Sequence, residues 1–507
     1  ECLGNPNWQN IYYASIPDTS LVIDSNLHQD NELLNLVQNP NMPDPHFFDN
    51  TANFFTVPTG DITTTTATDP RLTSMGGYDL IGSYIIVWVN GNEFAFSKIT
   101  NYIPAQDQIV FNNLGQPPIS DSGSNYYSIL NNFNGNIFDV EGEYYINDIS
   151  DNGQFKVFAW PKNGVDLETS GEVTITTNKG YLFDFNGNSY ITLNGLIFQK
   201  SHEAAIVSTI ISSRNIIKNN EVRFGTTIIS SPNFGDAIYL QQFSHGNIKN
   251  NYIHRSRGTH RGISISFNAV NNTVSDNLIF KLGRTGIYFG GVKKSKLINN
   301  TILNSTGTHS NGMSVYDGSE NILIANNLLI DSNVLLTLQD SENITIYNNL
   351  FDGRENTSPV LAEWSEMRGT TNIINNIILG SNTNCAYSRG SINSDSVIFV
   401  NNIVDGGSPD LSYANRESNI YTDYCWYQSP AYGWSLESGE IDARGIPIDD
   451  ILVDSINFDY KLKSGSVAID SGIDALSFLP VNEFPNYDFT KSIDGVARPQ
   501  GSAWDIG

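Results

Sequence analysis

Short apolar runs that end in asparagine recur along the chain from Ile216 to about Val404. At eight places an apolar or β-branched run leads into one or two asparagines, and a further apolar pair follows. The last asparagines of these phrases, spaced by 22 to 31 residues, are Asn220, Asn251, Asn277, Asn300, Asn327, Asn349, Asn376 and Asn402. A repeat of this length is typical of a solenoid, in which units stack because one unit cannot bury its own apolar side.

One repeat, residues 301–327, contains three strand-prone runs separated by polar turns. The middle run, residues 312–316, alternates apolar and polar residues, as a half-buried strand does. Three strands per coil predict three parallel sheets, so the fold class is all-β, a right-handed parallel β-helix. Asparagine tolerates left-handed backbone at a corner. The stacked asparagines are therefore expected to bond their equivalents one coil away.

The middle strand recurs in several coils, and its alternation assigns side chains to two faces. The residues predicted to point inward are Ile238, Leu240, Ile263, Ile265, Ile287, Phe289, Met313 and Val315. Those predicted to point outward are Tyr239, Gln241, Ser264, Ser266, Tyr288, Ser314 and Tyr316. The later run that ends at Trp364 fits this alternation less cleanly, so its facing is left open.

The repeat also indicates three regions. Residues 1–170 lack it and contain strand-prone runs separated by glycine and asparagine turns, which predicts a small antiparallel β domain at the N-terminus or inserted there. Residues 171–425 form the predicted parallel β-helix. Residues 426–507 are predicted to be final coils and an irregular cap, which the end of a solenoid requires.

Composition narrows the function classes. The 53 acidic residues outnumber the 27 Lys and Arg, which argues against a nucleic-acid partner and suits a secreted, cell-surface or periplasmic protein. The sequence has no apolar span long enough to cross a membrane, and we expect a monomer. Two alternatives stay open for the three cysteines: Cys385 and Cys425 form a disulfide, or Cys2, Cys385 and Cys425 are all free thiols. The pattern predicts no metal site or cofactor; a calcium ion stays open because acidic turns are frequent, although no dedicated calcium loop is evident.

Three stretches, residues 69–89, 180–198 and 497–507, together resemble bacterial right-handed β-helix proteins that act on polysaccharides. Similar layouts occur in β-helical glycoside hydrolases, including fucan- and xylan-active ones from polysaccharide-degrading Bacteroidota, and in polysaccharide lyases of the same fold. The resemblance covers most of the chain as architecture and implies a polysaccharide-degrading enzyme. It supplies no catalytic motif, so the site has to be predicted from the residues themselves.

Carboxylates that precede or follow the middle strand are the candidate catalytic groups. Glu203 and Asp236 are predicted to be neighbours in adjacent coils, near the ~5 Å that a retaining glycosidase needs. A rival pair joins Asp317 to Asp340, one coil on, or to Glu363, two coils on. For each of these acids the alternative is an ordinary solvated turn residue.

Cationic and aromatic residues supply the predicted substrate contacts. Residues 249–296 hold nine Lys and Arg against one acid, which favours an anionic polymer. His260 is a candidate general acid or base, since histidine titrates near neutrality. The residues predicted to bind substrate are Arg257, Arg261, Arg284, His309, Tyr239, Gln241, Tyr288, Tyr316 and Trp364. The alternative is that these residues lie on different faces or simply pack.

The leading hypothesis is a secreted glycoside hydrolase that cleaves an anionic polysaccharide, fucan-like and sulfated, in a groove along the β-helix. The second is a polysaccharide lyase for a uronate polymer such as alginate, with His260 or Tyr288 as base and Arg261 or Arg284 neutralising the carboxylate. The third is a carbohydrate-binding solenoid without catalysis.

Overall fold

The computed structural model describes most of the chain. The described residues are 5–18, 23, 25–45, 51–89, 93–120, 123–134, 137–169, 171–176, 180–225, 236–256, 261–305, 307, 310–355, 359–365, 367–380, 387–389, 396–406, 414–422, 436–437, 439–443 and 445–507. All statements about structure below concern these residues.

The N-terminal region is built from antiparallel strands with one parallel pairing. A four-stranded sheet has the order Tyr12–Pro17, Gln154–Ala159, Glu143–Asp151 and Asn35–Leu36. A second sheet has the order Gln38–Asn39, Ser124–Leu130, Tyr84–Val89, Glu93–Ile103, Gln108–Phe111 and Thr66–Thr68, with Phe55–Pro58 also paired to Ser124–Leu130. A third joins Val173–Ile175, Leu27–Gln29 and Glu32–Leu33. The predicted small antiparallel β-structure near the N-terminus is therefore confirmed.

From Phe183 onward the chain winds through three parallel sheets, which confirms the predicted right-handed parallel β-helix. Sheet I contains Phe183–Asp184, Ile206–Ser208, Ile238–Gln241, Ile263–Ser266, Ile287–Gly290, Asn311–Tyr316, Val334–Gln339, Leu361–Ser365 and Tyr387–Arg389. Sheet II contains Thr192–Asn194, Ile216–Lys218, Asn247–Lys249, Thr273–Ser275, Lys293–Ile298, Glu320–Ala325, Glu342–Tyr347, Arg368–Ile374, Ser396–Val400 and Ala414–Glu417. Sheet III contains Ile197–Gln199, Glu221–Arg223, Tyr252–His254, Leu278–Phe280, Thr301–Ser305, Leu328–Ser332, Leu350–Asp352, Ile377–Leu379, Ile403–Asp405, Ile420–Tyr421 and Ile441–Asp442.

Helices are short and few in the described part of the chain. The α-helices are Arg71–Ser74 and Ile448–Ile451. The 3-10 helices are Trp8–Asn10, Thr51–Asn53, Gly77–Leu80, Pro104–Gln106, Lys162–Gly164, Ser455–Asn457 and Ala475–Phe478. Two short pairings complete the strands: Ser212–Ser213 with Phe243–Ser244, and Leu452–Asp454 with Asp459–Leu462. None of the helices described is long and apolar enough to span a membrane.

The interior of the solenoid is a single apolar column. All eight side chains predicted to point inward from sheet I are fully buried and belong to one cluster that runs through the coils. The seven predicted to point outward are absent from that cluster. Burying this column stabilises the stacking by roughly 25 cal/mol for each Å² of apolar surface removed from water.

The paired asparagines form the corner between sheets II and III, as predicted. The first residue of each pair is left-handed, for example Asn299 with φ 56° and Asn326 with φ 56°. The second is buried and stacks on its equivalent: the side-chain amide of Asn300 donates to Asn327 Oδ1 at 3.0 Å and to the Val274 carbonyl at 3.0 Å. The same bonds link every coil from Asn220 to Asn419.

The C-terminal segment covers the outer faces of sheets II and III in the later coils. Phe489 and Trp504 pack with Tyr347 of sheet II, and the Tyr347 hydroxyl donates to the Phe489 carbonyl at 2.7 Å. Ile451 and Ile506 pack with sheet III residues that include Ile403 and Ile420. No described residue of this segment belongs to an apolar cluster with sheet I, which leaves the outer face of sheet I as the place to look for a site.

Candidate functional site on the outer face of sheet I

Two columns of outward side chains run along sheet I because its strands pair in register, with a shift between Leu338 and Gln339 where they meet Leu361–Ser365. The first column reads Tyr239, Ser264, Tyr288, Ser314, Thr337 and Ala362. The second begins with Gln241, Ser266, Gly290 and Tyr316. Adjacent coils lie ~4.8 Å apart, so side chains far apart in the sequence are neighbours on this face.

At the start of these strands, Asp236 and Arg261 occupy equivalent positions in adjacent coils. The Arg261 backbone N–H donates to Asp236 Oδ1 at 2.8 Å, and its Nη1 lies 3.9 Å from Asp236 Oδ2. Asp236 is only 6% exposed, so its charge is balanced chiefly by these groups. Asp236 and Arg261 are therefore neighbours across adjacent coils at the start of the sheet I strands.

Arg261, Tyr288 and Asp317 form a connected chain across the coils that follow. The Arg261 guanidinium carbon lies 3.6 Å from the centre of the Tyr288 ring, a close cation–π contact. The Tyr288 hydroxyl donates a short hydrogen bond to Asp317 Oδ2. Burial raises the pKa of Tyr288, the bond to Asp317 raises it further, and Arg261 lowers it, with a net increase. Tyr288 therefore remains a proton donor at neutral pH.

Aromatic rings continue this surface toward the later coils. The Tyr288 and Tyr316 rings meet edge to face with centroids 5.8 Å apart, and Trp364 lies 6.3 Å beyond Tyr316. Trp364 is 46% exposed, which answers the question of its facing that the sequence left open. The result is a stepped aromatic surface that ends in an accessible indole.

Polar groups beneath Tyr316 fix its orientation. Its hydroxyl donates to Thr337 Oγ1 at 2.7 Å, and Asn311 Nδ2 donates to Ser314 Oγ at 3.1 Å and to Thr337 Oγ1 at 3.2 Å. Burial is the main cause of the raised pKa of Tyr316. These hydrogen bonds hold the Tyr316 ring in place, although Asn311 Oδ1 is buried without a partner among the described residues.

Tyr239 begins the same face one coil before Arg261. It receives a short hydrogen bond from Gln241 Nε2 and packs in a small cluster with Ala204, Val207 and Tyr181. Burial raises the pKa of Tyr239 to about 12, and the nearby Asp236 charge contributes in the same direction.

Asp317 and Asp340 follow the strands of adjacent coils. The register aligns Val315 with Leu338, which aligns Asp317 with Asp340 two residues later. Both residues are left-handed, with φ 59° and 48°, and the Gly318 N–H donates to the Asp340 carbonyl at 2.7 Å. Asp340 also accepts from Ser365 Oγ at 3.0 Å. Two carboxylates are thus one coil apart beside the Tyr288–Tyr316 surface.

Glu203 does not stand opposite Asp236. Sheet I aligns Ile206 with Ile238, so that Ala204 takes the position opposite Asp236 and Glu203 is offset by one residue. Glu203 Oε2 lies 3.5 Å from the point that a Cβ on Gly180 would occupy, near the preceding coil. This offset corrects the direct alignment that the sequence suggested by one residue. The catalytic role of Glu203 and its closeness to Asp236 stay predictions.

Glu363 is removed from the outer face altogether. It aligns with Leu338, which belongs to the interior cluster, and it is 2% exposed. The carboxylate that accompanies Asp317 on the outer face is therefore Asp340 rather than Glu363.

The cation-rich segment divides among the three sheets. Arg261 and Arg284 lie beside sheet I, and both lower the pKa of Tyr316, although burial outweighs them. Lys249, Lys293 and Lys296 belong to strands of sheet II, where Lys293 Nζ contacts Glu320 Oε2 at 2.8 Å. Lys281 Nζ pairs at 2.7 Å with Asp44 of the N-terminal region. Within the described part of the chain, the sheet I face thus carries only part of the charge cluster.

Several predicted residues lie outside the described ranges. These are Arg257, His260 and His309, together with Cys2, Cys385 and Cys425. Among the residues that are described, no three His, Cys, Asp or Glu side chains converge as metal ligands would. The predictions for histidine roles, the disulfide and calcium stay predictions.

The sequence reasoning missed one residue, Gly290. It occupies the outward column one coil before Tyr316, and a Cβ there would lie 2.6 Å from the Tyr288 hydroxyl oxygen. Its missing side chain leaves room for the hydroxyl beside the Asp317 carboxylate. The signal was available as a glycine in a column of otherwise larger outward residues.

Comparison with known proteins agrees with this architecture. A family described as "Right handed beta helix region" matches residues 225–376. A search of curated proteins finds no match to the chain.

Three similar solved structures illustrate the range of what the chain resembles. A structure of XylC with xylose is 12% identical with a TM-score of 0.43, and the match covers 81% of this chain and 61% of XylC. A glycoside hydrolase is 11% identical with a TM-score of 0.47, and the match covers 86% of this chain and 79% of the hydrolase. Pectate lyase Pel9A is 12% identical with a TM-score of 0.31, and the match covers 62% of this chain and 96% of the lyase. At these values function must be argued from the site itself.

Proposed function

We propose that the protein is a glycoside hydrolase that cleaves an anionic polysaccharide lying across the outer face of sheet I. The observation that carries the proposal is the pair Asp317 and Asp340, aligned in adjacent coils with Asp317 bonded by the Tyr288 hydroxyl. Backbones ~4.8 Å apart allow carboxyl groups at the ~5–5.5 Å separation that retaining enzymes use.

In this proposal Asp317 is the nucleophile and Asp340 is the general acid and base. An Asp317 oxygen attacks the anomeric carbon as the glycosidic C–O bond breaks, and Asp340 gives its proton to the departing oxygen. Water then attacks the glycosyl–Asp317 ester, loses a proton to Asp340 and restores both groups. The hydrogen bond from the Tyr288 hydroxyl orients the attacking Asp317 carboxylate. The raised pKa of Tyr288 keeps the proton on the hydroxyl, so the bond can be donated.

Asp236 has a different place in the proposal. It belongs to a coil three steps before the strand Asn311–Tyr316, which Asp317 follows. Three steps correspond to ~14 Å along the solenoid axis. That distance is too long for the two carboxylates to act on one glycosidic bond. Asp236 is therefore proposed to position Arg261, with which it shares a backbone hydrogen bond.

The polymer contacts follow from the neighbouring side chains. Sugar rings would lie on the Tyr316 and Trp364 surface, since an exposed aromatic ring offers apolar area with little loss of side-chain freedom. Arg261 and Arg284 would bind sulfate or carboxylate groups of the polymer. A fucan-like sulfated substrate remains part of this proposal and is supported by Arg261 and Arg284 beside sheet I. Secretion also remains part of it and is supported by the acidic composition.

A lyase acting on a uronate polymer is the alternative. Arg261 could neutralise a carboxylate there, and Tyr288 would have to remove a proton. The raised pKa of Tyr288 opposes a base role because the ring must first lose its own proton.

Product analysis tests the proposal. The protein is incubated with sulfated fucan, alginate, pectin, xylan and uncharged glucans, and new reducing ends and ultraviolet absorbance are followed. We expect reducing ends from an anionic polymer without absorbance, and retained anomeric configuration by proton NMR. Absorbing unsaturated ends would support the lyase, and an intact panel would support a binding solenoid.

A further inference from the structure

A second cleft lies in the N-terminal region, away from sheet I. It has a volume of about 850 Å³, compared with about 580 Å³ for the cavity under the C-terminal segment. One wall is the edge strand Tyr12–Pro17, and the opposite wall includes Val173–Ile175 and the turn at residues 166–168. Its size lies within the ~300–1,000 Å³ range of small-molecule sites.

One large aromatic side chain of this cleft is left uncovered. Trp8 is 53% exposed among the residues that line it. The Tyr13 ring contacts the Phe158 ring, with centroids 5.8 Å apart, and so lies on the face of the sheet opposite to Tyr12. The Trp8 indole is therefore the flat apolar surface that the cleft offers to a ligand.

The charged groups among the described residues that line the cleft are the carboxylates of Asp166 and Glu168. The Tyr12 hydroxyl donates to Asp166 Oδ1 at 3.1 Å, and the Glu168 N–H and Thr169 hydroxyl also donate to Asp166, at 3.0 and 2.9 Å. The bond from the Glu168 N–H is the main cause of a lowered pKa of Asp166. Glu168 adds a second carboxylate, and no Lys or Arg is found among the described lining residues.

We propose that this cleft binds an uncharged oligosaccharide. A sugar brings hydroxyl donors for the Asp166 and Glu168 carboxylates and an apolar ring face for the Trp8 indole. An anionic group would meet two carboxylates without a cation, in contrast to the sheet I face with Arg261 and Arg284. The site shares no residue with the proposed hydrolase site and does not depend on it.

Calorimetric titration of the full chain tests the proposal. The probes are cellohexaose, xylohexaose, laminarihexaose and mannohexaose, with a sulfated hexasaccharide and hexalysine as charged comparisons. We expect at least one uncharged probe to bind, Trp8→Ala to weaken it by about 10-fold or more, and Asp166→Ala to weaken it likewise. Tyr78→Ala, which removes a 61% exposed ring outside the cleft, is expected to change nothing.

The alternative outcomes are distinct. Absence of binding by every uncharged probe at millimolar concentration overturns the proposal, as does binding that survives both cleft substitutions. Binding of hexalysine alone would assign the cleft to a cationic partner instead. Asp317→Asn should leave the titration unchanged, so that a failure of the hydrolase assignment is distinguishable from a failure here.

Discussion

The asparagine corner and the outer face of sheet I are both columns of side chains in register, yet they differ in what they repeat. The corner places the same buried amide in every coil, and each amide satisfies the next. The outer face places a different residue in each coil, such as Tyr288, Ser314 and Thr337 in one column. When the same side chain repeats in every coil, as at the corner, the column stabilises the stacking of the coils. When the side chain differs from coil to coil, as on the outer face of sheet I, the column brings together groups that could bind or act on a substrate.

The largest expected effect is on catalysis at the outer face. Asp317→Asn and Asp340→Asn should each lower kcat/KM by about 10²–10⁴-fold because a nucleophile or proton donor is lost. The matched control is Asp276→Asn, which restores the common asparagine pair at a corner and keeps an acceptor for Asn299. Activity is measured as reducing ends released from the anionic polymer, with thermal unfolding as a check on the fold.

Asp236→Asn distinguishes this assignment from the one suggested by the sequence. If Asp236 only positions Arg261, the substitution should reduce activity far less than Asp317→Asn does. Complete loss with Asp236→Asn and full activity with Asp317→Asn would contradict the proposed pair.

The next effect is on stability at the corner. Asn300→Ala removes the side-chain bonds to Asn327 and Val274, and it takes the acceptor from the Asn277 backbone N–H and from one of its side-chain N–H groups. The free energy of unfolding should fall by about 3 kcal/mol. Asn299→Gly at the exposed left-handed position should cost under ~1 kcal/mol. Denaturant titration measures the free energy of unfolding of both variants. Equal losses of stability would show that the stacked Asn300 amide contributes no more than the exposed Asn299.

A smaller effect is expected where Tyr288 meets Asp317. Tyr288→Phe keeps the ring under Arg261 but removes the hydroxyl, so kcat should fall about 10-fold with little change in KM. Gly290→Ala should act in the same direction by displacing that hydroxyl. Ser266→Ala, in the same column one coil earlier, is the control. Normal kcat in both Tyr288→Phe and Gly290→Ala would exclude the orienting role.

The smallest effect concerns charge. Arg284→Gln should raise KM for the anionic polymer by a few-fold at low salt, and the difference should shrink as salt is added. Lys294→Gln, in the sheet II strand Lys293–Ile298, should leave KM unchanged. An equal response of both variants would mean that the polymer is attracted by the whole charge cluster rather than by the sheet I face.

The sequence alone determined the repeat, the three sheets, the corner and the facing of the middle strand. These follow from local rules: alternation assigns a side chain to a face, and an asparagine pair supplies a left-handed residue and a buried amide in every coil. Tyr239, Tyr288 and Tyr316 could therefore be placed on one face from the sequence. The same alternation allowed the aromatic surface of sheet I to be predicted from the sequence.

Tertiary structure decided which outward groups meet. Coil lengths vary, so the offset of Glu203 from Asp236 depends on how two strands pair rather than on spacing. Arg261 lies over Tyr288, and Tyr288 reaches Asp317, because side chains from different coils adopt compatible rotamers across the face. The C-terminal segment covers sheets II and III through contacts more than 100 residues apart in sequence. Contacts between residues so far apart leave no local pattern in the sequence. The sequence therefore predicted the β-helix, whereas the tertiary structure was needed to show which side chains meet at the candidate site.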